Sequence, residues 1–164
     1  MTRDAETESR VKSLEGGRAY AAAVRGAGRR VVFTNGVFDI LHPGHIRYLQ
    51  QARSLGDVLI IGLNADASVR RNKGPQRPIN NEQERAEILA ALECVDCVVI
   101  FAEDTPAEII NAVQPDILVK GADWAEDAIV GRDTVEARAG KVVRIPIEQG
   151  YSTTEIIRKV RALP

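Results

Sequence analysis

From Val31 onward, short runs of β-branched and apolar residues recur with room for a helix between each pair, and this alternation constrains the fold more than any other feature. Strand-length runs read at residues 31–35, 58–63, 97–101, 117–120 and 142–145, and helical spacing begins near Pro43, Asn81, Thr105, Arg132 and Ser152. A helix between two strands returns the chain to the edge it left, so such strands run parallel and both faces of their sheet are covered. The pattern therefore predicts an α/β, Rossmann-like open five-stranded parallel sheet with helices on both faces, its ligands bound beyond the carboxyl ends of the strands.

The chain has 164 residues, the size of one ordinary domain, and no internal repeat or low-complexity segment divides it. Residues 31–164 read as the functional domain. Residues 1–30 read as a frayed tail to about residue 10, then a weak helix interrupted by Gly16, Gly17, Gly26 and Gly28. Helix ends are chemically marked: Thr105, Pro106 and Glu108 stand in the order of a capping hydroxyl, a first-turn proline and an acid, while Gly56 and Gly140 read as stops.

With 22 basic and 23 acidic side chains the net charge is −1, so the chain lacks the basic excess that binds nucleic acid or an anionic membrane. The N-terminus is too polar for a signal peptide and no apolar run approaches membrane length, which predicts a soluble, cytoplasmic protein. Cys94 and Cys97 have C-x-x-C spacing, but four zinc ligands are not at hand and Cys97 leads straight into a strand, so they read as buried free thiols.

Both histidines of the chain stand in one motif, His42-Pro43-Gly44-His45, between a buried strand ending in Thr34, Asn35 and Gly36 and the start of a helix. Proline suits the first helical turn, and glycine lets a ligand approach the backbone. The free amides and the helix dipole attract an anion, which two imidazoles three residues apart can hold. Near the C-terminus, Ser152, Thr153 and Thr154 offer capping hydroxyls to a last helix, with Arg158 one turn on.

These residues resemble the nucleotidyltransferase superfamily that carries the H-x-G-H motif, in its cytidylyltransferase-like branch, over roughly Val31 to the end. Thr34, Gly36, Phe38 and Asp39 match its T-x-G-x-F-D segment, and Tyr151-Ser152-Thr153-Thr154 its I-S-T-T signature. The middle of the chain resembles, within that branch, the adenylyltransferase half of bifunctional heptose 1-phosphate enzymes of lipopolysaccharide synthesis. The cues are Asn64-Ala65-Asp66, Lys73-Gly74 with Arg77-Pro78, Glu84-Arg85, and Lys120-Gly121 with Asp123-Trp124. Glycerol 3-phosphate cytidylyltransferases resemble R-T-E-G-I-S-T-T before the last helix, and Ile147 stands here in place of that arginine.

The resemblance implies transfer of AMP from ATP to a sugar 1-phosphate, with magnesium carried by the triphosphate rather than held by a protein metal site. It implies His42, His45 and Lys73 as catalytic groups, with Lys73 reaching the phosphates from a mobile loop. Nucleotide-binding roles are implied for Thr34, Asn35, Gly36, Phe38, Gly44, Arg85, Lys120, Gly121, Tyr151, Ser152, Thr153, Thr154 and Arg158, Arg85 and Arg158 reaching the β and γ groups. Substrate-binding roles are implied for Asp39, Asn64, Asp66, Asp123 and Trp124. A homodimer and a separate upstream heptose kinase are also implied.

Several residues carry a second reading. Lys73 runs with Arg70 and Arg71 as a solvated face would, and Arg85 could pair with Glu82 or Glu84. The three aspartates could be turn or cap residues, Asp39 could orient a histidine, and Trp124 could plug the sheet edge. At the level of function, the alternatives are transfer to another polyol phosphate such as glycerol 3-phosphate, or a nucleotide-binding module without catalysis. The only G-x-G, at Gly26 and Gly28, precedes the first strand, and no G-x-x-x-x-G-K-[ST] loop occurs, which leaves no dinucleotide or P-loop fingerprint.

Overall fold

The structure, a computed structural model, describes residues 3–164. Six parallel strands form one sheet in the order β1-β4-β3-β2-β5-β6: β1 (Val11–Lys12), β2 (Val31–Gly36), β3 (Val58–Asn64), β4 (Cys97–Phe101), β5 (Ile117–Gly121) and β6 (Lys141–Ile145). The α-helices are α1 (Arg3–Arg10), α2 (Leu14–Gly26), α3 (Pro43–Ser54), α4 (Asp66–Lys73), α5 (Glu82–Ala90), α6 (Ala107–Val113), α7 (Arg132–Glu136) and α8 (Thr153–Arg161). Alternate residues of each strand face opposite ways. Val31, Phe33, Val58 and Ile60 pack under α2 and α6, while Val32, Leu59, Ile61 and Leu63 pack with α3 and α5. Each such side chain contributes about 1.5–3 kcal/mol on burial.

The sheet has six strands where the sequence pattern predicts five. Val11 and Lys12 pair with Val98 and Val99, too short a strand to show a period. Arg10 anchors it by donating to Ala90, Leu92 and Val95 carbonyls at 3.2, 3.3 and 3.0 Å. The expected tail is thus helical from Arg3, with Met1 and Thr2 outside the described residues, and α2 runs through Gly16 and Gly17 from a Ser13 cap. Gly17 is needed there, because a Cβ would stand 2.5 Å from a Val99 methyl. Helix α4 was not foreseen, and Thr105 does not cap: α6 starts two residues later, with Pro106 at its cap position. Asn81 and Glu84 form a capping box at α5.

Cys97 is buried, its thiol pushed up to about 12 by desolvation, and Cys94 is half-buried rather than buried; both are free. No helix of the described residues is long and apolar enough to cross a membrane. The strand order reverses between β2 and β5, and the crevice beyond their carboxyl ends is where such a sheet receives a ligand.

Candidate active site

A cleft of about 490 Å³ opens at that seam, between the N-termini of α3 and α8, the end of α4 and the segments after β5 and β6. A wider hollow of about 920 Å³ under α1 and α5 shares no residue with it and is lined by three glutamates, Glu8, Glu87 and Glu93, with Arg10.

His42 is the N-cap of α3: its Nδ1 accepts the His45 backbone N–H at 3.3 Å. A neutral ring bonded in this way carries its proton on Nε2, where it is free to donate. The rings of His42 and His45 stack with centroids 3.8 Å apart, and Tyr151 continues the stack 6.1 Å from His42. Gly44 makes room for this column, since a Cβ would lie 3.1 Å from both His42 Nδ1 and Tyr151 Cβ. Burial, with the neighbouring His42, pulls His45 down to about 4, and burial lowers His42. Both rings are therefore neutral donors at pH 7. His45 Nδ1 is buried without a hydrogen-bond partner, a polar atom that a phosphate oxygen would satisfy.

Phe38 meets the His45 ring edge-on at 5.4 Å and holds φ at 46°. A left-handed backbone at a phenylalanine costs roughly 1–3 kcal/mol, strain stored beside the histidines. Thr34 is buried below them, its hydroxyl bonded to Tyr48 Oη at 2.8 Å and donating to Val119 O at 3.0 Å. Burial raises Tyr48 to about 12, so the phenol stays protonated.

Asp39 is 2% exposed and binds the segment after α4. Its carboxylate accepts from Arg77 Nε at 2.7 Å, from Ile79 N at 2.8 Å and from Asn80 N at 2.9 Å. It makes no hydrogen bond to either histidine, and it lines the cleft. Lys73 lines the cleft from the last turn of α4, not from a loop, and Arg77 lines it beside Lys73. Ser152 caps α8 through Glu155 N at 3.0 Å, Thr153 donates to Ile40 O at 3.2 Å, and Thr154 faces the cleft with them. Asn35, Gly36, Gly121, Asp123 and Trp124 complete the lining from the strand ends.

Other expected ligands sit elsewhere. Arg85 is 1% exposed and donates to Asp66 Oδ1 and Val37 O at 2.7 Å and Asn80 O at 3.0 Å, contacts that brace the fold. Asp66 is consumed in that pair, and Asn64 bonds Ser68 at 3.2 Å. Arg158 is exposed and pairs with Glu155 at 2.9 Å. None of these four lines the cleft.

Two cations were missed as site residues. Arg77 was visible only as half of an Arg-Pro pair. Arg47 is ion-paired with Glu148 and lies 5.5 Å over the Tyr151 ring. It brings a cation to the corner where Ile147 replaces the arginine of the glycerol 3-phosphate enzymes, and its position within a helix carries no local signal. Among the described residues no cluster of three or more His, Cys, Asp or Glu side chains is placed to hold a metal ion.

A histidine pair at a helix N-terminus, over the switch point of a parallel sheet, is the arrangement of a nucleotidyltransferase. Residues 33–159 match the Cytidylyltransferase-like family, and the chain belongs to that family. Curated relatives include Bifunctional protein HldE of Trichlorobacter lovleyi, 55% identical over 94% of this chain and 32% of that protein. HldE of Hyphomonas neptunium is 58% identical over 82% of this chain and 28% of that protein. The chain thus spans about a third of the length of these relatives. Among solved structures, the lipopolysaccharide core biosynthesis protein from Thermoplasma volcanium GSS1 is 33% identical with a TM-score of 0.62, covering 76% of this chain and 100% of that one. Pantoate-beta-alanine ligase from Francisella tularensis shares the fold at 14% identity and a TM-score of 0.56, over 93% of this chain and 78% of that one.

Proposed function

We propose that this domain transfers AMP from MgATP to D-glycero-β-D-manno-heptose 1-phosphate, giving ADP-heptose and pyrophosphate. The observation that carries the reading is the stacked His42–His45 pair, two neutral donors and an unsatisfied buried nitrogen at a helix N-terminus. The acceptor is supported by the likeness of the middle of the chain to heptose 1-phosphate adenylyltransferases, by the identity to HldE proteins and by the lipopolysaccharide role named for the solved neighbour.

The chemistry asks little covalent work of the protein. An oxygen of the acceptor phosphate, already an anion at pH 7, forms a bond to the α-phosphorus. The bond from that phosphorus to the bridging oxygen breaks, and pyrophosphate leaves with the electron pair. Magnesium, as part of the MgATP substrate, neutralises charge on the leaving group. His42 and His45 donate to the α-phosphate and bridging oxygen, so their hydrogen bonds strengthen as charge develops. Lys73, Arg77 and Arg47 offset the repulsion between the two anions, and the Ser152–Thr154 turn receives phosphate oxygens at the α8 N-terminus. We expect a separate heptose kinase upstream to supply the acceptor. We place the reaction in the cytoplasm, where ATP is supplied, and expect a homodimer.

The test is pyrophosphate release with magnesium, pairing ATP, CTP, GTP and UTP with heptose 1-phosphate, glycerol 3-phosphate or no acceptor. Release with ATP and heptose 1-phosphate alone is the expected result. Release with another pair would keep the mechanism and replace the acceptor, and silence throughout would favour a binding module.

A further inference from the structure

Helix α8 is unfinished as a piece of packing. Helices α2 to α7 each bury at least one residue, whereas α8 buries none. Its sequence is nevertheless that of a helix with a face to hide. Ile156, Val160 and Leu163 stand at i, i+4 and i+7, the spacing of a helix–helix seam. Leu163 keeps that register past the helix end, its N–H donating to Val160 O at 3.2 Å. Val160 is 61% exposed and Leu163 70%, the two most exposed large apolar side chains among the described residues. A nine-residue helix is marginal in water without a packed face, and this one is tied to the body by a Thr153 bond to Ile40 O and an Arg161 bond to Gln76 Oε1, both 3.2 Å.

The surface beside its first turn is the counterpart of this ridge. The outer side of α3 carries a shallow hollow of about 490 Å³, walled by Leu41, Pro43 and Ile46 with Gln50 at its margin. It adjoins the start of α8, because Thr153 is bonded to Ile40, the neighbour of Leu41. An apolar ridge that ends at Leu163 and an apolar hollow at the opposite end of the same helix are self-complementary under a two-fold axis. Two α8 helices laid antiparallel bring the Leu163 end of each to the hollow of the other. The charges agree with this arrangement. Glu155 stands in the first turn of α8 and Arg158, Lys159 and Arg161 in its last, so an antiparallel pair sets acid against base at both ends and lays the helix dipoles antiparallel. A uniformly acidic or basic partner would meet like charge at one end. A stable pair buries roughly 1,200–2,000 Å² in all, so the ridge and the hollow have to be covered together.

We infer that the α8 ridge and the α3 hollow form a two-fold interface with a second copy of this chain, and that this contact fixes the Ser152–Thr154 turn at the cleft. The turn is the N-terminal end of α8, and all three of its residues line the cleft. Covering the helix therefore steadies the turn, and a lone copy holds it loosely and binds MgATP less tightly. The contact gives the expected homodimer its surface, and its effect on the cleft rests on the proposed function, which seats phosphate oxygens on that turn.

The experiment measures mass by sedimentation equilibrium and affinity for a non-hydrolysable MgATP analogue by calorimetry, on the full chain. The variants are Val160→Glu, Leu163→Glu and, as a control on α5, Ile88→Glu, whose side chain is 43% exposed. All three positions are exposed in a single copy, so each variant should fold, which far-UV circular dichroism checks. The wild type is expected at twice the chain mass. Val160→Glu and Leu163→Glu should raise the dimer dissociation constant roughly 100-fold or more by placing an unpaired carboxylate in the seam, and Ile88→Glu should leave it unchanged. With the dimer lost, binding of the analogue should weaken about fivefold or more. A monomeric wild type, or α8 variants no more dissociated than Ile88→Glu, would overturn the interface. Monomeric variants that bind the analogue as tightly as the wild type would overturn its link to the turn. A wild-type dimer that breaks with the α8 variants yet releases no pyrophosphate with any acceptor would overturn the proposed reaction and support the interface.

Discussion

Asp39 and Arg77, 38 positions apart, are joined by a 2.7 Å ion pair that fixes the segment after α4 against the end of β2. Burial pushes the Asp39 carboxyl up, but the Ile79 and Asn80 N–H groups and Arg77 outweigh it and hold the pKa below the usual range. Arg77 and Lys73 are presented to the cleft by the segment this carboxylate organises.

Asp39→Ala is therefore expected to destabilise the fold by about 3–5 kcal/mol, the cost of leaving a partly buried guanidinium unpaired, and to lower turnover by at least tenfold. Denaturant unfolding alongside pyrophosphate release checks both. A variant that unfolds like the wild type would show that the clamp is slack.

The histidines set a pH dependence with a definite sign. His45 titrates near 4 when folded against an ordinary value of 6.5, so between these pH values the unfolded chain holds the proton and the folded one does not. Stability is complete above about pH 6.5 and falls as the pH drops toward 4, by an amount of order ten degrees in melting temperature. His45→Phe should flatten that slope. An equally steep acid limb in this variant would place its origin elsewhere.

Gly44→Ala tests the ring column. An added methyl 3.1 Å from His42 Nδ1 and from Tyr151 Cβ must push the two rings off their axis. Alanine is otherwise welcome in a helix, so turnover should fall about tenfold or more while the melting temperature moves by only a few degrees. Near-normal turnover would mean that the stack adapts freely.

His42→Ala and Lys73→Ala should separate by kinetic constant. Loss of the His42 donor is expected to cut kcat by roughly two to three orders of magnitude, and loss of its cap to cost about 1 kcal/mol of stability. Lys73, exposed at the end of α4, should act mainly on the KM for MgATP with the fold intact. A folded His42→Ala enzyme with wild-type kcat would remove the histidine from the mechanism.

The parts that could be read in the sequence share a physical trait: each is a local signal. Five strands, the H-x-G-H helix start, the helix start near Asn81 and the Ser152 cap are set by neighbours a few residues away. The two-residue strand β1 and the pairing of Arg85 with Asp66 are set by tertiary contact. Arg85 illustrates the limit: in the sequence it reads as a cation for phosphates or a partner of Glu82 or Glu84, and only packing shows it buried on Asp66. Helix α4 was hidden because its residues are charged on most sides, and Arg47 because a single arginine within a helix looks like surface until Tyr151 is brought beneath it.

The anchoring of β1 bears on the order in which the chain assembles. Arg10 reaches Val95 across 85 positions of sequence, so its three carbonyls do not exist as a group until α5 has ended and β4 has begun to form. Closing so long a loop is slow compared with helix formation or the β2–β3 crossover, and during synthesis this early-made segment must wait for a late-made one. Until it docks, the β4 edge is open to any extended strand nearby, and aggregation is most to be feared in that interval.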